Sequence, residues 1–351
     1  MIFTMRKTVV LSLALLLGCA GLPGCSARGR YASQDRQAVD HYAQAKKLQT
    51  SGDLDAALAE FKKAIAANPS LASAHAAMGD IYRKKNDLPA ATLSYEEAVK
   101  HNPENFRNNY NCGYLHQTLA QTERALSAVK DHLVRAIELY AQARQLRPDD
   151  YGTLINLGVC YFRLGQYDQA EGTFKAAIAV DPYPAHAYTN LGAIYDAQGA
   201  AYEAVTMYRQ SLERDGHQPE VLMNLAAVYV RQGKFAAALR DYQTAQSMLE
   251  EPAPALERLG YCYYHMGLYE RAEDYYNQAL EHQPRNAEAH CGLGIVYMTY
   301  FVLDRSRQDC RDKGLAEWKL SLEINPEQPT LAGLVDKYTP QATTAKSASS
   351  N

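Results

Sequence analysis

The sequence predicts an all-α chain built from repeated helical hairpins, and three observations carry that expectation. Prolines return 34 residues apart, Pro69 with Pro103 and Pro148 with Pro182. Between them the same residue types recur in the same order: Gly79, Tyr82, Ala91, Tyr95 and Ala98 are answered by Gly158, Tyr161, Ala170, Phe174 and Ala177. Within each half, apolar residues follow the three-to-four spacing of a helix rather than the alternation of a strand. Composition permits a packed core, since 47% of residues are hydrophobic and only 21% charged. Lys plus Arg, at 36, nearly balances Asp plus Glu, at 39, with no long single-sign run. Nucleic acid is therefore not an expected partner, because phosphate binding needs clustered positive charge.

Residues 1–18 read as a leader. Arg6 and Lys7 precede an uncharged apolar run from Thr8 to Gly18, too short to cross a bilayer and suited to a secretory signal. "LLGC", Leu16 to Cys19, resembles the lipid-modification motif of bacterial lipoproteins; "LPGC", Leu22 to Cys25, is a second candidate in which Pro23 departs from the pattern. The resemblance implies cleavage at Cys19, or alternatively at Cys25, with a lipid on that cysteine tethering the protein to a membrane. Neither Ala20 nor Ser26 is the Asp that retains enteric lipoproteins at the inner membrane, so the implied location is the outer membrane of a bacterial envelope, facing the periplasm. An ordinary secretory signal with incidental cysteines is the alternative. Residues 26–37 lack apolar periodicity and are expected, within 19–37, to form a flexible linker.

From 38 to 328 the chain divides into eight units. The first (38–71) keeps Ala57, Phe61, Ala64 and Pro69, and the second runs from 72 to 105. The fourth (151–184) carries Leu157 and Gly158, the fifth (185–218) Leu191, Gly192, Tyr195, Ala204 and Tyr208. The sixth (219–252) has Leu225, Ala226, Tyr229, Ala238 and Tyr242, the seventh (253–286) Leu259, Gly260, Tyr263, Ala272, Tyr276 and Pro284. These residues resemble the tetratricopeptide repeat (TPR), a 34-residue helix-turn-helix, and the resemblance implies a superhelical solenoid of antiparallel helix pairs. Its packing logic is physical: small residues at positions eight and twenty let helices cross closely, and large ones at four, eleven and twenty-four fill the surrounding space. Gly158, which costs about 1 kcal/mol in helix propensity, is read as such a contact point. Gly165, Gly199, Gly233 and Gly267 mark the ends of first helices. Tyrosine at position eleven in six repeats explains much of the excess of 26 Tyr over 7 Phe; packing with a satisfied hydroxyl is its expected role.

Two units break the period. The third regains register only if 11 residues are inserted, and Leu126, Val129, Leu133, Ile137 and Tyr140 keep that stretch on one helical face. The eighth carries 8 extra residues around "LDRSRQDCRDKG" before Trp318 and Pro326. Residues 329–340 are expected to form a capping helix over the last open face, and 341–351 a disordered tail.

A ligand would lie along the concave face, which the resemblance places on the first helices. Position six reads Asn111, Asn156, Asn190 and Asn224 in repeats three to six. A row of side-chain amides can hydrogen-bond the backbone of an extended peptide whatever its sequence, and it resembles the asparagine ladder in the repeats of O-linked N-acetylglucosamine transferase. Asparagine fitting a polar helix position near a turn is the simpler alternative. Beside it lie Tyr110, Tyr114, Ile155, Val159, Phe162, Met223, Val230, Tyr261, Tyr264, Ile295 and Met298. Such residues suggest a partner surface, unless curvature buries them. Lys46, Arg83 and Arg107 do not reproduce the basic clamp of chaperone-binding relatives.

No catalytic constellation, phosphate loop or cofactor motif is found, and no small-molecule substrate is expected. Cys262 and His265 lie one turn apart without a second pair to complete a zinc site, and Cys112, Cys160, Cys262 and Cys291 read as small buried residues. Cys291 and Cys310 are a candidate disulfide in an oxidising compartment. The expected function is a non-enzymatic, lipid-anchored envelope scaffold that binds protein or peptide, of the kind that assists pilus or secretion-machine assembly. The alternative is an accessory subunit of an envelope enzyme or of a glycan or polysaccharide export complex, docked through the third repeat's arm.

Overall fold

The computed structural model describes residues 24–339; the expected leader, Cys19 and the expected tail at 341–351 lie outside them. Among the described residues there are seventeen helices and no strand. The chain divides into two compact units, one ending at Leu119 and the other starting at Ala120. In the first, α1 (Gly24–Ser51) pairs with α2 (Leu54–Ala67) and α3 (Ala72–Lys84) with α4 (Leu88–His101), followed by most of α5 (Phe106–Thr122). The second holds α6 (Leu126–Leu146), then α7 (Tyr151–Arg163) with α8 (Tyr167–Val180), and α9 (His186–Ala197) with α10 (Ala201–Arg214). It continues with α11 (Pro219–Arg231) and α12 (Phe235–Met248), α13 (Ala253–His265) and α14 (Tyr269–His282), α15 (Ala287–Leu303) and α16 (Gln308–Ile324), and ends on α17 (Pro329–Tyr338).

Local chemistry sets the helix limits. Asp53, Asp87 and Asp150 accept the backbone N–H of Ala56, Ala90 and Thr153 at 3.1, 3.1 and 2.7 Å, caps whose loss costs about 1 kcal/mol each. First helices end where one residue turns left-handed: Gly165 has φ +72°, and the N–H groups of Gly165 and Gln166 donate back to the carbonyls of Phe162 and Tyr161. In the second repeat Asn86 takes that conformation at φ 61°, as a short polar residue can.

Alanines at position twenty (Ala57, Ala91, Ala170, Ala204, Ala238, Ala272) are fully buried, and the aromatic residues at position twenty-four fill the space beside them. The glycine at position eight makes room for that aromatic ring within its own hairpin. A Cβ added at Gly158 would lie 2.7 Å from Phe174, at Gly192 2.6 Å from Tyr208, and at Gly260 3.0 Å from Tyr276. The two irregular repeats lengthen both their helices. α5 has 17 residues and α6 21, against 13 and 14 in α7 and α8, and α15 and α16 have 17 each.

The expected flexible spacer is not observed where it can be described. Helix α1 begins at Gly24, so residues 24–37 extend the first hairpin. Their Ala, Arg and Gln content favours helix, and elongating a helix already anchored at one end needs no apolar stripe. Asn68, past the end of α2, donates to Asp35 at 3.1 Å and ties down that extension; Ala38 is buried.

Candidate functional site

Position nine of a first helix and position six of the next meet around the tip of the aromatic residue at position twenty-four. In the first unit this meeting is fully bonded. Tyr95 donates to Asp80 Oδ1 at 2.6 Å and receives the amide of Asn111 at 2.9 Å, while Arg107 holds the other Asp80 oxygen at 3.1 Å. Burial first, then the Asp80 bond, pushes the Tyr95 hydroxyl's pKa well up. Asn111 is thus engaged with its own chain. Beside the network a cavity of about 230 Å³ is lined by Tyr42, Lys46, Ser73, Asn105, Arg107 and Asn108, among others. Lys46 and Arg107 therefore share one cavity, which their spacing did not reveal, while Arg83 stays outside its lining and sits 3.7 Å from Asp80.

In the second unit Asn156, Asn190 and Asn224 occupy the same site on α7, α9 and α11. Asn156 and Asn190 are half-buried and Asn224 is exposed. The side chains of Asn190 and Asn224 make no hydrogen bond to any described residue.

The apolar neighbours separate into two groups. Tyr114 and Tyr261 are exposed, at 45% and 39%. Phe162, Ile155 and Val159 are half-buried shoulders of the core around Phe174 and Leu191, and Met223, Val230 and Tyr264 flank the core of the following repeats. Ile295 is half-buried and Met298 is wholly core. Tyr110 stacks on Phe106 at 5.9 Å, and Tyr264 shares a 3.1 Å hydrogen bond with Thr299. Curvature and close stacking thus cover most of this set, leaving the tyrosines at position nine as its outward part.

The cysteines offer no chemistry on this face. Burial pushes the thiols of Cys160 and Cys262 up to about 12, so both stay protonated at neutral pH. Cys262 is fully buried, whereas His265 is exposed and stacks on Phe235 at 5.3 Å. Cys112 is buried. Cys291 and Cys310, considered as a disulfide, are both free. Gly314 packs on Met298, so the antiparallel run carries Cys310 toward Phe301, roughly 15 Å along α15 from Cys291 at 1.5 Å per residue, and a disulfide needs Cα atoms within about 7 Å. Among the described residues no group of three or more His, Cys, Asp or Glu could hold a metal, and no helix is long and apolar enough to cross a membrane. Cys19 lies outside the described residues, and Cys25 falls within α1 with its side chain undescribed.

Hairpins repeating in register, each burying a ring under a glycine or alanine, define an α-helical repeat protein. Tetratricopeptide-repeat models match residues 130–194, 253–286, 185–214 and 220–250, and a TPR-repeat model matches 79–119. Together these cover more than half the chain, which belongs to the tetratricopeptide-repeat family. No curated protein matches it in sequence. Among solved structures it is similar to the APC/C hetero-tetramer Cut9-Hcn1, with a TM-score of 0.53 and 18% identity over 82% of this chain and 53% of that one; it thus spans about half the length of that relative. It is also similar to a tetratricopeptide repeat protein from Parabacteroides merdae, with a TM-score of 0.51 and 18% identity over 74% and 99% of the two chains. A third is PilW, a widely conserved type IV pilus biogenesis factor, with a TM-score of 0.52 and 24% identity over 62% and 96%.

Proposed function

We propose that this protein is an envelope scaffold that holds an extended segment of a partner along the first-helix face of its second unit. The observation that carries the reading is that Asn190 and Asn224 stand at one repeated helical position with no bond to their own chain. Amides in that condition offer a donor and an acceptor to a peptide backbone at successive repeats. The tetratricopeptide fold supports protein or peptide partners, and the likeness to a pilus biogenesis factor supports a role in assembling an envelope machine. The motif at Cys19, or that at Cys25, supplies a lipid anchor on the periplasmic side of the outer membrane. Catalysis is no part of this role.

Crosslinking from a photoreactive residue at Tyr261, in the native envelope, tests the reading. Asn156→Ala with Asn190→Ala should weaken the crosslinked product severalfold without changing helicity or melting; an undiminished product removes the groove. A second reading, docking of an envelope enzyme through the lengthened third repeat, is favoured by Leu126 and Val134 on α6, exposed at 86% and 41%. Deleting residues 119–129 would then abolish association while the asparagine variants would not.

A further inference from the structure

The tyrosine at position twenty-four of repeat seven, Tyr276, stands where Tyr95 stands in repeat two, but both of its counterpart partners are missing. Position nine is Tyr261 rather than an aspartate, and position six of the next helix is Gly292 rather than an asparagine. A Cβ at Gly292 would lie 2.2 Å from Tyr276 Cζ and 2.7 Å from its hydroxyl oxygen, so the tip of the ring occupies the space the asparagine would take. Tyr276 is only 4% exposed, and its hydroxyl makes no hydrogen bond to any described residue.

Glu257 lies one turn before Tyr261 on α13. Its side chain is 13% exposed and accepts no hydrogen bond; the nearest cation, Arg258 Nη1, is 3.8 Å away on a side chain that is itself half exposed. Burial raises the Glu257 carboxyl's pKa, the exposed Arg258 lowers it and Glu288 of the next first helix raises it again. Burial, then Glu257, also raises the pKa of the Tyr276 hydroxyl, which puts the two groups within electrostatic reach. A carboxylate and a hydroxyl that are mostly buried, lack a donor from the chain and still have their oxygens within reach of solvent are both served by one incoming group that brings several N–H donors and a positive charge. The Tyr261 ring, one turn along and 39% exposed, offers such a group a cation–π face.

We propose that the first-helix face of repeats seven and eight binds a cationic side chain, an arginine guanidinium or lysine ammonium, of a partner segment, with Glu257 as its counter-ion and the Tyr276 hydroxyl as a second acceptor. The proposal rests on the peptide-groove reading and names one residue class within the bound segment.

The test uses fluorescent neutral dodecapeptides that differ only in a central arginine, lysine, norleucine or glutamate, titrated by anisotropy into the full chain. Alongside, N-acetyl-arginine amide is titrated into chain carrying 13C-labelled tyrosine. The arginyl and lysyl peptides should bind about tenfold more tightly than the norleucyl one. That preference should vanish in Glu257→Gln, fall severalfold in Tyr276→Phe, and persist in Asn156→Ala with Asn190→Ala, which weakens all the peptides alike. Equal binding of arginyl and norleucyl peptides, or a preference that survives Glu257→Gln in a normally folded variant, overturns the proposal. Should the arginine amide shift the Tyr261 and Tyr276 resonances while no peptide binds, the cation site stands and the groove reading fails.

Discussion

The hairpins α7/α8 and α15/α16 solve the same packing problem at different separations. In the first, the atoms nearest to Gly158 belong to the ring of Phe174, and position twenty is Ala170, which keeps its methyl group. In the second, glycine stands on both sides: Gly294 faces Trp318 and the carbonyl of Gly314, and Gly314 faces Met298 and the carbonyl of Gly294. The wider indole is accommodated by removing both Cβ atoms. The wide indole rather than helix length calls for the second glycine, since the third repeat lengthens both its helices and still keeps a buried alanine, Ala136, at position twenty.

The sharpest break in that comparison is Gly314→Leu, whose Cβ would begin 2.8 Å from Met298 and 3.1 Å from a backbone oxygen. Backbone cannot yield as a side chain can, so a loss of about 3 kcal/mol or more is expected, read as a fall in the chemical-denaturation midpoint. Gly158→Ala should cost less, about 1–2 kcal/mol, because Phe174 can shift and alanine returns about 1 kcal/mol of helix propensity. Gly260→Ala, at 3.0 Å from Tyr276, should be close to neutral; a loss as large as that at Gly314 would show that a ring yields no more readily than backbone. Gly165→Ala, which meets nothing within 4 Å but has φ +72°, should cost about 1 kcal/mol through backbone strain alone.

A further effect, small and opposite in sign, concerns charge. Because burial raises the Glu257 pKa in the folded state, the folded chain holds that proton at pH values where the unfolded chain has lost it. Its contribution to stability is therefore present below the unfolded pKa and lost as pH rises through the folded one. Glu257→Gln should raise the melting temperature modestly at pH 7, with the gain disappearing below about pH 4. A lower melting temperature at pH 7 would mean that the carboxylate has a partner in solution.

The repeating part of the fold was legible because its determinants lie within one hairpin: the glycine, the alanine twelve residues on and the ring after it specify each other. What lay between hairpins was not. Glu257, in the run "APALERLG", looks like an ordinary solvated helix residue, yet its side chain is 13% exposed once the helices pack. Asn111 looked identical to Asn190 and Asn224, yet it donates to Tyr95 of the preceding repeat, whereas Asn190 faces the level of Phe174, which has no hydroxyl, and Asn224 stays unbonded although Tyr208 precedes it. The residue at position twenty-four of the preceding repeat does not by itself tell them apart; the Asp80 that fixes the Tyr95 hydroxyl comes from yet another helix. The extension of α1 escaped for another reason, since a solvated helix carries no apolar period to detect.

The sole tryptophan, Trp318, is wedged at 3% exposure beside Gly294, its indole N–H directed to the Cys291 carbonyl at 3.3 Å. Intrinsic indole fluorescence therefore watches the last hairpin and nothing else, whereas circular dichroism sums over every helix. A mismatch between the two melting curves would show how far disorder starting at one end travels before the rest gives way.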